Sequence, residues 1–336
     1  MYSLFKDYAK HWLGGFAAPV AYLWHLVSDP FLNPSNRLYY LYLMLFFLIA
    51  LLVLRRQSRA AGEASWREVV HRALSPRVFA HPSAIQDYRY FLVYGALIGL
   101  AAQSLLQIVS VVAVTRFVAA GLTAGLGPGA GQGFERLGVQ AALSVGLFLA
   151  SDLAFFLGHY LQHKVRWLWE FHKVHHSAEV LTPVTNFREH VMDSLVIGQI
   201  SALLGGTVGG VFVYRYGAGA EPLTVSGLLA LYWLFALTAN FRHSHVWIAY
   251  GPRLSRVFSS PAMHQIHHSS EARHWDRNFG LALSVWDELF GCNYVPSQRE
   301  KFRLGLSDQT EHEYHTVMRK LLLPFYRCVR PNRSQR

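Results

Sequence analysis

The chain has 336 residues, of which 52% are hydrophobic, 14% aromatic and only 15% charged, with a formal net charge of +11. Disorder needs low hydropathy and high charge density, and a soluble domain carries about 25% charged residues, so both classes are disfavoured. Two cysteines, Cys292 and Cys328, are too few for a disulfide framework or a cysteine-based zinc site.

Lys6, Asp7 and Lys10 precede a mixed stretch, so no secretory signal peptide is expected, and Trp12 to Val27 reads as a weaker span candidate that could lie at the interface instead. Leu38 to Leu54 is an uncharged run of 17 residues that ends at Arg55-Arg56, close to the lower limit of a spanning helix. Phe91 to Val114 is a second apolar stretch, closed by Arg116. Gly121 to Gly133 reads as a flexible loop. Leu137 to Gly158, broken only by Asp152, is a third span. Ser194 to Tyr214 is a fourth, with glycines suited to close helix packing. Leu223 to Phe241 is a fifth, ending at Arg242. Beyond Phe290 the chain is polar and basic, with a short apolar run at Leu321 to Tyr326.

The distribution of Lys and Arg tests this layout. If five spans alternate, residues 55–90, 159–191 and 242–336 share one side, and they hold seven, four and fourteen of the 31 basic residues. That side is expected to be cytoplasmic. The positive charge then follows from topology, and no nucleic-acid motif accompanies it, so nucleic acid is not an expected partner.

The 18 histidines are the anomaly. His159 and His163 form H-x3-H, and His172, His175 and His176 form H-x2-H-H. His243 and His245 follow the fifth span, and His264, His267 and His268 form a second H-x2-H-H. Positions i, i+3 and i+4 share a helix face, so each triplet aims three imidazoles one way. Imidazole is the commonest protein metal ligand and suits iron, zinc, copper and nickel. A lone H-x3-H is more often structural, and interfacial histidines can bind lipid phosphate. Two triplets with a pair and His243 exceed what one ion can use, which points to two neighbouring metal ions. By the alternation above, all these groups fall on the cytoplasmic side. His190 is open between ligand and packing residue, and His245 reads as a support rather than a ligand. His11, His25, His71, His81, His274, His312 and His315 read as ordinary histidines.

These residues resemble the fatty acid hydroxylase/sterol desaturase superfamily of membrane diiron oxygenases. The resemblance rests on His159-Tyr-Leu-Gln-His163, His172-Lys-Val-His175-His176 and His264-Gln-Ile-His267-His268. Trp169-Glu170-Phe171, Phe241-Arg242-His243-Ser244, Asn278-Phe279-Gly280 and Trp286-Asp287-Glu288-Leu289-Phe290-Gly291 extend it, over about residues 140 to 295. Two departures stand out. Many relatives carry His-Pro-x-Glu where this chain reads His190-Val191-Met192-Asp193, and many carry Asn where it has His245.

The resemblance implies an all-α integral membrane protein, a multi-pass helical bundle with a cytosolic helical cap that carries the metal site. Residues 1–136 would form N-terminal transmembrane and interfacial helices, 137–295 the catalytic domain and 296–336 a basic cytosolic tail. His159, His163, His172, His175, His176, His243, His264, His267 and His268 would be catalytic metal ligands, with His190 a further candidate. The cofactors would be two Fe ions with O2 as co-substrate, and the reaction hydroxylation or desaturation of a lipid C–H bond. An acyl-chain or related lipid hydroxylase is the first expectation and a sterol desaturase or methylsterol oxidase the second. Two Zn ions in a lipid hydrolase, or a non-catalytic metal-binding scaffold, are the readings from other classes. No Rossmann fingerprint or cytochrome-like segment is visible, so a ferredoxin or cytochrome b5-type donor is expected, docking on the basic face. Asp152, Glu170, Asp193 and Asp287 are candidates to orient ligand N–H groups or to serve as caps and ion pairs. Tyr160, Trp167, Trp169, Phe187, Trp275 and Trp286 could line a lipid channel or form an interfacial belt. The lack of a targeting segment and the arginine-rich loops favour a bacterial inner membrane over the endoplasmic reticulum.

Overall fold

The computed structural model describes residues 28–34, 36–60, 62, 65–94, 108–129, 131, 136–217, 219, 221–225 and 228–330. Trp12 to Val27, with His11 and His25, and residues 95–107 of the second expected span lie outside the described residues.

The protein is an all-α multi-pass membrane protein. Its helices are α1 (Tyr40–Ala60), α2 (Trp66–Ala73), α3 (Pro82–Tyr94), α4 (Val111–Leu126), α5 (Leu137–Lys164), α6 (Arg166–His176), α7 (Val191–Tyr216), α8 (Ala230–Arg242), α9 (Pro261–His267), α10 (Val285–Leu289) and α11 (Val317–Val329). A two-residue strand pair, Thr224–Val225 with Leu228–Leu229, precedes α8. Among the described residues three helices, α1, α5 and α7, are long and apolar enough to cross a membrane.

The bundle is built around α7. It runs antiparallel to α5, since Gly158 meets Ile197 and Gly146 meets Val208. It runs parallel to α4, whose Val114 and Val118 pack on Gly206 and Gly210. A Cβ on either glycine would stand 2.6 Å from a valine Cβ, so only glycine permits this approach. Helix α8 returns along α5, with Phe148 between Tyr232 and Phe235 at 5.2 and 5.5 Å. The ends of α5 and α8 and the start of α7 thus meet at one end of the bundle. There α6, α9, α10 and α11 form a cap.

Two expected spans take a different form. Phe91 to Val114 is not one helix: Phe91–Tyr94 closes α3, and Ser110 starts α4 by accepting from Ala113 N. Arg116 and Gly121 to Leu126, expected to close that span and open a loop, lie inside α4, which ends at Gly127 with φ +82°. The fifth span is the strand pair followed by α8, whose 13 residues rise only about 20 Å. The β-branched pair Thr224-Val225 favours a strand over a helix there. Both ends of α1 are tied to the cap end of the bundle. Asn240 Nδ2 donates to the Arg37 carbonyl at 2.9 Å, and Gln57 Nε2 donates to the Trp247 carbonyl at 3.1 Å.

The C-terminal segment folds back on the cap rather than trailing from it. Lys320 is fully buried, with Nζ donating to the Tyr314 carbonyl at 2.6 Å. The apolar run Leu321 to Tyr326 is part of α11, which carries exposed Met318, Leu322, Phe325, Tyr326 and Val329 on one side.

Candidate metal centre

The local sequence explains how the histidines reach one place. Helix α5 continues unbroken past its apolar run to Lys164 and so carries His159 and His163 out of the bundle on one face. A turn at Val165 starts α6, whose i, i+3, i+4 spacing aims His172, His175 and His176 back at α5. Pro261 starts α9, which presents His264 and His267, and His268 caps it. His243 follows the last residue of α8 directly.

These nine side chains form two groups. His159, His163, His172, His176 and His267 offer ring nitrogens within 4.8 Å of one another. His175, His243, His264 and His268 do the same. In the second group four Nε2 atoms converge, with His243 Nε2 at 3.2, 3.0 and 3.2 Å from those of His175, His264 and His268. Eight of the nine are buried and His163 is nearly so.

The outward nitrogens are held by backbone. His159 Nδ1 is 2.9 Å from the Phe279 carbonyl, His175 Nδ1 3.1 Å from that of Arg188, and His267 Nδ1 2.7 Å from that of Arg277. A carbonyl can only accept, so each Nδ1 carries the proton and each Nε2 faces inward as a lone pair. His264 is the exception: Arg242 Nη2 donates to its Nδ1 at 2.9 Å. The same guanidinium donates to the Gly280 carbonyl at 2.9 Å and to that of Leu281. His172 Nδ1 lies 3.4 Å from Asp193 Oδ1.

The donor set fits metal ions. The Nε2 atoms of His163, His172, His176 and His267 are buried and lack any hydrogen-bond partner. Such atoms are costly unless something binds them. Burial pushes His172, His175 and His267 down to about 3, and it also lowers His176, His264 and His268. The rings are therefore neutral at physiological pH, the form that ligates.

His190 stands outside both groups. Its Nδ1 accepts from Met192 N at 3.1 Å, which caps α7, and its Nε2 lies 3.1 Å from the Leu321 carbonyl of α11. His245 also stands apart, with Nε2 at 2.9 Å from the Arg72 carbonyl.

The four candidate carboxylates divide. Asp152 accepts from Ala282 N, Leu283 N and Trp286 Nε1 at 2.9, 3.1 and 2.9 Å. Asp287 accepts from Phe279 N and Gly280 N at 2.7 and 2.9 Å. Both fix the turn whose Phe279 carbonyl holds His159. Asp193 faces His172, whereas Glu170 pairs with Lys173 at 3.5 Å. Among the aromatics, Trp169 lies 4.8 Å from His163, while Trp167 and Trp275 are exposed.

Sequence reasoning missed one support, Asp87, and named Asn278 within Asn278-Phe279-Gly280 without a role. Asn278, at φ +60°, donates to the Met263 and Tyr294 carbonyls at 3.1 and 2.9 Å and so locks α9 to the segment after α10. Asp87 on α3 is fully buried against Arg188 Nε and accepts from Thr185 Oγ1 at 2.7 Å. A lone acid in an otherwise apolar helix face was the available signal.

Comparisons with known proteins agree with this geometry. Residues 144–292 match the family "Fatty acid hydroxylase". Ornithine lipid hydroxylase OlsE of Rhizobium tropici is 30% identical over 189 residues, 54% of this chain and 50% of that protein. Alkylglycerol monooxygenase of Homo sapiens is 26% identical over 164 residues, 48% of this chain and 32% of that protein. Cholesterol 25-hydroxylase-like protein 1, member 2, of Danio rerio is 27% identical over 160 residues, 44% and 49%. The matches thus span between a third and half of these relatives' length. No solved structure matches the chain significantly. Its histidine motifs, their convergence and the match over residues 144–292 make this part of the chain similar to the fatty acid hydroxylase family.

Proposed function

We propose that the protein is a membrane-bound diiron oxygenase that hydroxylates an unactivated C–H bond of a lipid, with O2 and two external electrons. The observation that carries this reading is the pair of neutral, inward-facing imidazole groups at the end of an apolar helical bundle. The names of the relatives, an ornithine lipid hydroxylase and an alkylglycerol monooxygenase, support a lipid as substrate.

His159, His163, His172, His176 and His267 would hold one ion and His175, His243, His264 and His268 the other. The chemistry that iron supplies there is reduction of dioxygen and oxidation of a C–H bond, giving an alcohol and water. The chain's own residues do the rest. Backbone carbonyls of Phe279, Arg188 and Arg277 fix three ligand tautomers. Phe279, whose ring lies 5.4, 5.0 and 5.5 Å from those of His159, His163 and His267, and Trp169 exclude water from the first group. His190 serves as a positioning residue that joins α7 to α11.

The electron donor is a separate acidic carrier of ferredoxin or cytochrome b5 type. A cleft lined by Ser244, His245, Gln265, Arg299, Glu300 and Lys301 supports this, because Ser244 and Gln265 neighbour His243 and His264 and two of its three charged side chains are basic. The cap would face the cytoplasm, in keeping with the basic residues gathered there, and a bacterial inner membrane is the proposed location.

The test is comparative lipid mass spectrometry of cells expressing wild type or His175→Ala, with and without air. A lipid that gains one oxygen atom only with wild type and air supports the reading. Lipid cleavage without an oxygen requirement would instead support a dizinc hydrolase.

A further inference from the structure

Helix α11 turns its apolar side outward. Met318, Leu322, Phe325, Tyr326 and Val329 recur at i, i+4, i+7, i+8 and i+11, which places them on one stripe about 100° wide. All five are between 49% and 81% exposed. The opposite side buries Lys320, Pro324 and Arg327. Lys320 Nζ donates to the Tyr314 carbonyl, and Arg327 Nη2 to Glu313 Oε2. The helix thus sequesters two cations and presents five large apolar side chains, an arrangement that water penalises and lipid favours. Arg319 and Arg330, both exposed, follow one edge of the stripe.

The contacts of α11 put this stripe at the level where the bundle meets the cap. The Leu321 carbonyl lies 3.1 Å from Nε2 of His190, the residue that starts α7. Cys328 Sγ lies 3.5 Å from the Trp167 carbonyl, just past the end of α5. The Phe325 ring is 5.0 Å from that of Phe171 on α6 and 5.4 Å from that of His190. Both α5 and α7 are long and apolar enough to cross a membrane, so α11 runs beside the ends of two spanning helices. Arg166 and Trp167, at the start of α6, are exposed beside it. Tryptophan and basic residues at the end of a span are what a membrane surface accommodates.

We propose that α11 is an interfacial helix that lies in the headgroup layer of an anionic membrane, with its apolar stripe among the acyl chains and Arg319 and Arg330 on lipid phosphates. A helix with one broad apolar face edged by arginines is suited to that position. A second copy of the chain fits the stripe less well, because pairing two such faces brings the same cations together. Through Leu321 and Phe325 the helix bears on the start of α7 and on α6. The membrane surface therefore braces the helix that carries His172, His175 and His176.

The test uses the full chain in vesicles of phosphatidylcholine and phosphatidylglycerol that carry a trace of lipid with a photoreactive diazirine on its acyl chain. After illumination, mass spectrometry reads the labelled residues. Wild type should be labelled at Leu322, Phe325 or Tyr326 as it is at Leu203, an exposed residue of spanning helix α7, and not at Gln298, exposed on the cap. Label on Leu203 with none on α11 overturns the proposal, and needs no variant to fold. Depth is read with a spin label on Tyr326→Cys/Cys328→Ser, since the remaining Cys292 is buried. That label should be reached by oxygen and shielded from a water-soluble nickel chelate, relative to a label on Gln298→Cys/Cys328→Ser. Equal chelate access at the two positions overturns the proposal. Dipolar coupling between labels, with loss of oxygen and chelate access alike, assigns the face to a second copy and overturns it too. Replacing phosphatidylglycerol by phosphatidylcholine should raise chelate access at position 326, and adding Arg319→Gln/Arg330→Gln should do the same in the mixed vesicles. Access unchanged by both overturns the anionic part of the proposal.

Discussion

The rings of His176 and His268 stack at 4.6 Å with 26° between their planes, although each belongs to a different imidazole group. His264 and His267 also stack across the same division, at 5.4 Å with 19° between their planes. The two groups therefore share a wall of side chains, and two bound ions would sit on either side of it.

Metal content follows from that division. Wild type should bind about two ions per chain, the number that nine imidazoles in two groups can saturate. His172→Ala should lose chiefly the ion of the first group and His264→Ala that of the second, while the double variant should lose both. Elemental analysis of purified protein checks this. Loss of both ions in each single variant would show one shared site instead of two.

Acid should destabilise the metal-free protein. Burial holds His172, His175 and His267 at about 3 in the folded state, against 6.5 for the free side chain. The unfolded chain thus binds protons that the folded chain refuses, and stability present above pH 6.5 is lost as the pH falls toward 3. Thermal melts of metal-free protein should drop steeply between about pH 7 and about pH 5, and metal loading should reduce that drop at the upper end. A melting temperature flat across this range would contradict neutral, buried imidazoles.

His190 should behave differently from the nine ligands. Both of its nitrogens are engaged, by Met192 N and by the Leu321 carbonyl. Asn at a helix N-cap can keep the first bond and cannot reach the second. His190→Asn should therefore retain both ions and lose about 1 kcal/mol of stability, the size of one hydrogen bond. Metal loss in a folded His190→Asn would return it to the ligand set.

Much of the site was legible because metal ligation imposes local spacing. The i, i+3, i+4 triplets of α6 and α9 could be read directly, and so could the pair that ends α5. The division into groups of five and four could not, because it depends on how α6 packs between α5 and α9. His243 illustrates this: adjacent in sequence to α8, it joins His175 of α6 and the two outer members of the α9 triplet. The apolar spans were legible where a helix is uniformly apolar, as in α5 and α7. They were misread where Ser110 starts a new helix within an apolar run and where Thr224-Val225 adopts a strand. Capping and β-branching act over one or two residues, and averaging over a span conceals them. Asp87 gave no motif, since its partners Thr185 and Arg188 lie far away in the chain, and Asn278 was legible only as part of Asn278-Phe279-Gly280, with no role attached.

The close approach of α4 to α7 gives a prediction about assembly. A Cβ on Gly210 would stand 2.6 Å from Val118 Cβ and 2.9 Å from the Thr115 carbonyl, and backbone cannot move aside as a flexible side chain can. Gly210→Leu should separate the helices and cost about 2 to 3 kcal/mol, as overpacking does in a well-filled core. Gly198, with nothing within 4 Å of its would-be Cβ, is the control and should accept Ala with little change. Thermal stability in detergent distinguishes the two.

Asp152 provides the sharpest test of how the membrane helix governs the site. It is fully buried in α5, and its two oxygens accept three donors, Ala282 N, Leu283 N and Trp286 Nε1. These donors belong to the turn that follows Phe279, whose carbonyl fixes His159 of the same α5 helix. The carboxylate thus closes a ring from helix to turn to ligand. Asp152→Asn replaces one acceptor oxygen with an NH2 group that must face a donor, so at least one buried N–H loses its partner. The cost is about 1 to 3 kcal/mol of stability. Ligand orientation should suffer more: supports of this kind typically change metal affinity by about 10- to 100-fold. The loss should fall on the first group, which contains His159, and spare the second, whose carbonyl support comes from Arg188. Chelator competition on protein loaded with two ions should therefore show one weakened step and one unchanged step. Equal weakening of both would mean that the turn supports the two groups alike, through Arg242 and its bonds to the Gly280 and Leu281 carbonyls.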